Sequence, residues 1–151
     1  MTATTPLLRV VVLVSGRGSN LQAIAARADA GELPVRIEAV VSDRVDAGAL
    51  DWARARGITT SVLSPRNSPD REAYGRALGD IVESHAPQLV VLAGFMRILS
   101  DEFVQRFSGR MLNIHPSLLP RYAGLHTHRR ALESGDREHG ASVHFVTPEL
   151  D

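Results

Sequence analysis

The segment Leu112-Asn-Ile-His-Pro116 holds an amide and an imidazole two residues apart. In a β-strand successive side chains alternate between faces, so Asn113 and His115 share one face and Ile114 turns to the other. Pro116 has no N–H to give a ladder and ends the pairing. An amide N–H can stabilise a developing oxyanion, and an imidazole exchanges protons near neutral pH. At the carboxyl end of a strand in an open α/β sheet, such a pair faces the ligand crevice. The alternative for His115 is a hydrogen-bonded structural histidine. The neighbouring Asn113 and the rigid Pro116-Ser-Leu-Leu-Pro120 weigh against it.

A second candidate is Ser15-Gly-Arg-Gly-Ser-Asn20, which joins an apolar run directly to a helical segment. Two glycines let the backbone turn tightly with its N–H groups outward, and a helix N-terminus with open donors favours an anion such as phosphate. The Gly-Lys-Ser/Thr ending of a Walker A loop and the third glycine of the dinucleotide fingerprint are both missing, which weakens NTPase and NAD readings. The plainer alternative is that Gly16 and Gly18 only make the turn while Ser19 or Asn20 caps the helix.

The other histidines point less clearly to chemistry. His126 and His128 lie two apart, but with no cysteine and no Glu-containing zinc motif nearby they are read as helix-start residues, and no metal is assigned. His85 suits a helix end. His139 lies before the last strand and His144 within it, near the candidate site, and spacing gives neither a role. Trp52 is read as packing.

These residues need a scaffold, and the apolar runs supply one. Arg9–Val14, Arg36–Val41, Thr59–Leu63, Gln88–Ala93, Arg110–Ile114 and Ala141–Val146 read as strands. Val10–Val14 and Leu89–Ala93 are continuously apolar, as strands buried on both faces should be. Between the strands, Leu21–Ala30, Ala47–Arg56, Arg71–His85, Ser100–Phe107 and His128–Ser134 carry spacing compatible with amphipathic helices. Gly31, Gly57, Gly109 and Gly135 fall just past four of those ends, where a left-handed cap is often needed. The alternation predicts a doubly wound, mostly parallel α/β sheet with helices on both faces and right-handed crossovers. Ser64–Asp70 is a turn-rich loop before the third helix.

Composition narrows the function. The 151 residues suit a single domain, 1–151, able to bury about two-thirds of its unfolded surface. Seventeen Lys and Arg balance seventeen Asp and Glu, leaving no basic footprint for nucleic acid or an anionic membrane. Small-molecule chemistry is the better expectation. No cysteine is present, which excludes disulfides and thiolate catalysis and fits a reducing, cytoplasmic compartment. Met1–Leu8 lacks the pattern of a signal peptide, and no apolar run approaches the roughly 20 residues of a membrane span.

Four segments, Ser15-Gly-Arg-Gly-Ser-Asn-Leu21, Ala93-Gly-Phe-Met-Arg-Ile-Leu99, Leu112-Asn-Ile-His-Pro-Ser-Leu-Leu-Pro120 and Gly140-Ala-Ser-Val-His-Phe-Val146, resemble the glycinamide ribonucleotide formyltransferases in sequence, order and spacing. The likeness runs from Arg9 to Asp151. The Asn-x-His-Pro-Ser-Leu-Leu-Pro segment marks the wider folate-dependent formyl-transfer superfamily, whereas the first loop separates its members. The resemblance implies a Rossmann-like formyltransferase fold and formyl transfer from 10-formyltetrahydrofolate to glycinamide ribonucleotide in purine biosynthesis. It places the ribonucleotide phosphate on Gly18, Ser19 and Asn20, and the folate against Arg71, Met96, Arg97, Ile98, Leu99 and Asn113. It makes Asn113, His115 and Asp151 the catalytic group, with His115 the proton donor and Asp151 the carboxylate that favours its charged form. Its partners are the two substrates and, as a further candidate, a second copy of the chain in a homodimer.

The family continues past this Asp with Gly-Gly-Pro and further strand and helix, so the domain is expected to be C-terminally incomplete relative to it. A formyltetrahydrofolate hydrolase would use the same Asn, His and Asp on water, but by resemblance it carries an N-terminal regulatory domain, for which the eight residues before the first strand leave no room. A methionyl-tRNA formyltransferase would need a tRNA-binding domain. A non-catalytic nucleotide-binding module would use the first loop but leave Asn113, His115 and Asp151 unexplained.

Overall fold

The computed structural model describes residues 6–115 and 142–145. Its centre is β1 (Leu8–Val14), whose Val10–Val14 are at most 1% exposed because helices cover both faces of the strand. Parallel to it run β2 (Val35–Ser42) on one side and β4 (Leu89–Leu92) on the other. β3 (Thr59–Val62) extends the sheet beyond β2, and β5 (Met111–His115) extends it beyond β4, both parallel. β6 (Ser142–Phe145) closes the far edge antiparallel to β5. The order is β3-β2-β1-β4-β5-β6, the mostly parallel sheet that the alternating runs predict.

Side-chain alternation sorts the core into two layers. Val11, Leu13, Val41, Val90, Leu92 and Met111 face α3 (Arg71–Glu83) and α4 (Asp101–Arg106), meeting Tyr74, Leu78, Val82, Phe103 and Phe107. Val10, Val12, Val14, Val40, Val91 and Ala93 face α1 (Ser19–Asp29) and α2 (Gly48–Ala55), meeting Leu21, Ala49, Leu50 and Ala53. The sheet is therefore wound on both faces, as expected.

Local chemistry sets most helix boundaries. Asp70 caps α3 by accepting the Ala73 N–H at 2.7 Å, and Ser100 caps α4 by accepting that of Phe103 at 3.2 Å. Gly31, Gly57 and Gly109 all take positive φ just past helix ends. Two helix boundaries lie two residues from the sequence expectation, the other described ones within one. α1 begins at Ser19 rather than Leu21, and α3 ends at Glu83 rather than His85, with Ala86 turning the chain at φ 49°. Ser64–Asp70 is not all loop, since Pro65–Asn67 form a 3-10 turn capped by Ser64. The helix expected at His128–Ser134, together with Gly135, lies outside the described residues.

From β1 the chain adds β2 and then β3 on one side; α3 then carries it back to place β4 on the other side of β1. The order reverses between the carboxyl ends of β1 and β4, where open α/β sheets form their ligand crevice. The loops leaving those two strands are Ser15–Gly18 and Ala93–Ser100.

Candidate active site

The two loops are joined as they leave the sheet. Ala93 N–H donates to Leu13 O at 2.9 Å and Ser15 N–H to Gly94 O at 3.2 Å, carrying the contact past the strand ends. The Ser15 hydroxyl then accepts the Met96 N–H at 2.8 Å and donates to Asp43 Oδ1 at 2.6 Å. Arg97 Nε donates to the other oxygen, Asp43 Oδ2, at 2.9 Å. Asp43, just past β2, is 3% exposed, and a carboxylate so buried requires both charge and hydrogen-bond partners. The sequence reading did not select Asp43. Its only signal was an acidic residue following the buried run Val40-Val-Ser42, at the carboxyl end of a strand.

The first loop lies on the α1/α2 side of the sheet. Gly18 is the N-cap of α1, at φ 78° and ψ 38°, and no side chain caps the helix. The alternative in which Ser19 or Asn20 caps it is therefore corrected: both lie inside the first turn, Ser19 exposed and Asn20 half-buried. A helix that starts on a left-handed glycine has no side-chain oxygen at its N-cap, so its first N–H groups remain available to an anion. The loop is braced from behind, where Ala49 N–H of α2 donates to Gly16 O at 3.1 Å.

On the opposite face, the second loop and the start of α3 enclose a cleft of about 490 Å³. Arg71, Tyr74, Met96, Arg97 and Ile98 line it, together with Pro65, Ser68 and Asp70. Met96 and Ile98 are 57% and 59% exposed, and lining the same cleft they give it an apolar lip. Two guanidinium groups beside an apolar lip suit a flat ring system carrying an anionic end. The structure thus brings Arg71, Met96, Arg97 and Ile98 together. Leu99, half-buried, packs against the α3/α4 core.

Tyr74 was also missed, although it stands one turn from Arg71 on the same helix face. Its hydroxyl donates to Leu63 O at 2.8 Å and its ring is buried. Burial, reinforced by the negative charge of Asp43 and offset in part by Arg97, pushes the phenol up from 10.0 to about 12. The folded protein therefore holds this proton more tightly than the unfolded chain. The resulting stabilisation is complete below about pH 10 and is lost as pH rises toward about 12. In Tyr74→Phe that alkaline loss should be reduced, at a cost near neutral pH of about 1 kcal/mol for the missing hydrogen bond. Denaturation of both proteins between pH 8 and 12 measures it; parallel curves would contradict the assignment.

Asn113 and His115 lie on β5, one strand beyond β4, with Asn113 paired to Leu92. Met111 packs in the α3/α4 layer and Ile114 against the other, so Asn113 belongs to the cleft's side of the sheet, as the spacing predicts. It is half-buried. Across the antiparallel pair, His144 stands opposite Asn113 and Ser142 opposite His115. His144, to which spacing gave no role, is thus a register neighbour of the candidate amide. Asp151, His126, His128 and His139 lie outside the described residues. Among the described residues, no three His, Asp or Glu gather closely enough to hold a metal ion, and no helix is long and apolar enough to cross a membrane.

An open, mostly parallel sheet with an anion-ready loop on one face of its switch point and, on the other, an apolar-lipped cleft holding two guanidinium groups has the layout of a two-ligand α/β enzyme. The chain belongs to the formyl transferase family, which it matches over residues 8–151. It is 56% identical over 144 residues to the phosphoribosylglycinamide formyltransferase of Escherichia coli K12, an alignment covering 95% of this chain and 68% of that protein. The human trifunctional purine biosynthetic protein adenosine-3 is 43% identical over 143 residues, 95% of this chain and 14% of its own length. Among solved structures, the phosphoribosylglycinamide formyltransferase of Coxiella burnetii superposes with a TM-score of 0.91 at 49% identity, covering 96% of this chain and 68% of that one.

Proposed function

We propose that this chain transfers the formyl group of 10-formyltetrahydrofolate to the amine of glycinamide ribonucleotide, a step of purine biosynthesis. The observation that carries the reading is the gathering of Arg71, Met96, Arg97 and Ile98 into one cleft beside the Ser15–Gly18 loop, in a chain 56% identical to a phosphoribosylglycinamide formyltransferase. The cleft would take the folate, its flat rings against Met96 and Ile98 and its carboxylates toward the guanidinium groups. Gly18, Ser19 and Asn20 would take the ribonucleotide phosphate through the open end of α1.

The donor supplies its one-carbon unit as an activated amide. As the substrate amine attacks the formyl carbon, negative charge grows on the formyl oxygen, and Asn113 and protonated His115 are the groups assigned to stabilise it. Asp151 is assigned to favour the imidazolium. Collapse moves a proton from the attacking nitrogen to the departing folate nitrogen, directly or through water. Holding both substrates at one switch point supplies much of the remaining rate.

The same reading places the protein in the cytoplasm, in keeping with a neutral chain free of cysteine. It also includes a homodimer, for which β3, the edge strand among the described residues, offers a pairing surface.

A change in folate absorbance tests the reaction. It should require both 10-formyltetrahydrofolate and glycinamide ribonucleotide. Release of formate without the amine would mark a hydrolase, and ribonucleotide binding with no donor turnover would mark a binding module. Either would overturn the proposal.

A further inference from the structure

We propose that Asp43 is a positioning residue that fixes Arg97 in the folate cleft and ties that cleft to the ribonucleotide loop. The inference rests on the substrate assignment above and extends it to a residue outside the binding and catalytic groups.

Three strand ends converge on this carboxylate. It comes from β2, its Oδ1 receives the Ser15 hydroxyl from the loop after β1, and its Oδ2 receives Arg97 Nε from the loop after β4. Ser15 also accepts the Met96 N–H, so one hydroxyl touches both loops and their common anchor. The side chain of Asp43 is 2% exposed, whereas that of Arg97 is 48% exposed and lines the cleft. The ion pair is therefore asymmetric, with a fixed buried end and an accessible end that can meet a ligand. A guanidinium is planar, so holding its Nε sets the plane in which its two Nη groups are presented.

Stability alone is a poor explanation for the pair. Apolar replacements of buried ion pairs are often neutral or stabilising, so what this one supplies best is orientation. Ser15 gives the second half of the argument. Its two hydrogen bonds set the spacing between the loop assigned to phosphate and the loop assigned to folate, and thus between the reacting ends of the two substrates.

Asp43→Asn is the informative change. It keeps the shape and an acceptor for Ser15, but replaces the second acceptor with an N–H that cannot receive Arg97 Nε. The KM for 10-formyltetrahydrofolate should rise about ten-fold, the scale of one charge-assisted hydrogen bond, while that for the ribonucleotide stays within about two-fold. In Arg97→Met the further change Asp43→Asn should add little to the donor KM, because both act through one guanidinium. The NMR signal of the Arg97 Nε–H should move in ligand-free Asp43→Asn.

Ser15→Ala supplies a second arm that stands even if Asp43→Asn fails to fold. It should raise both KM values, since it removes the side-chain tie between the two loops and leaves only their backbone bonds. A lower melting temperature with unchanged KM values would assign Asp43 a purely structural role and overturn the proposal. Additive effects of Asp43→Asn and Arg97→Met, or an unmoved Nε–H signal, would also overturn it. Absence of two-substrate transfer in the unaltered protein would instead overturn the functional reading, while the Nε–H signal would still report on the ion pair.

Discussion

Replacing His115 by Ala is expected to lower turnover by roughly 10²- to 10⁴-fold, the usual loss for a missing general acid or base, with both substrates still bound at nearly their original affinities. The basis is positional. His115 ends β5, two residues beyond Asn113 and one strand beyond the β4 end that feeds the cleft assigned to folate. A group on that strand end can meet the formyl carbon without contributing to the phosphate loop or the cleft walls, so its loss should fall on kcat. Asn113→Ala should cost on the order of 10²-fold if its amide meets the formyl oxygen, since an oxyanion donor contributes mainly in the transition state. Single-turnover rates with direct binding of each substrate separate the two effects. Near-normal turnover in His115→Ala would remove it from the mechanism, and equal loss of binding and rate would make it a packing residue.

The parts of this site that could be read in the sequence are those set by local rules. Val10–Val14 announces a strand buried on both faces because nothing in it favours water, and Asn113 lies on the face opposite Ile114 because a strand has period 2. The start of α4 was legible to within one residue, and Ser100, which begins the expected helix, proves to be its cap, serving an N–H three residues on. α1 was placed two residues late because Ser19 and Asn20 read as caps, whereas the helix starts on Gly18, which has no side chain to cap it.

Asp43 and Tyr74 were missed for a different reason. The partners of Asp43 lie 28 and 54 residues away, and the Tyr74 hydroxyl meets a carbonyl 11 residues away, so each role exists only once the sheet is assembled. Without the sheet, one reads as a turn acid and the other as a helix aromatic. Arg71, Met96, Arg97 and Ile98 came from family resemblance rather than from spacing. Arg71 and the other three come from segments that meet only because the strand order reverses between β1 and β4.

The glycines of the first loop carry the second large expected effect, and the structure separates two residues that the sequence treats alike. Gly18 sits at φ 78°, and a Cβ added there would lie 2.7 Å from Ala49 Cβ of α2. A left-handed conformation costs an ordinary L-residue about 1–2 kcal/mol, and forcing a methyl into packed α2 costs about 1–3 kcal/mol more. Gly18→Ala should therefore destabilise the fold by roughly 2–5 kcal/mol, and the β-branched Gly18→Val by more. Gly16 has no atom within 4 Å of an added Cβ, so Gly16→Ala should stay within about 0.5 kcal/mol of the parent. Urea denaturation of both variants checks the contrast. Adding Ala49→Gly should recover the steric part in Gly18→Ala but not the backbone part, giving a favourable coupling in a double-mutant cycle. Equal stability of the two single variants would refute the close approach of loop and α2. The same geometry makes Gly18→Val a poor probe of phosphate binding, because it strains the loop before any ligand arrives. Competition by inorganic phosphate or sulfate against the ribonucleotide leaves the loop intact, and failure of either anion to compete would count against an anion site at the start of α1.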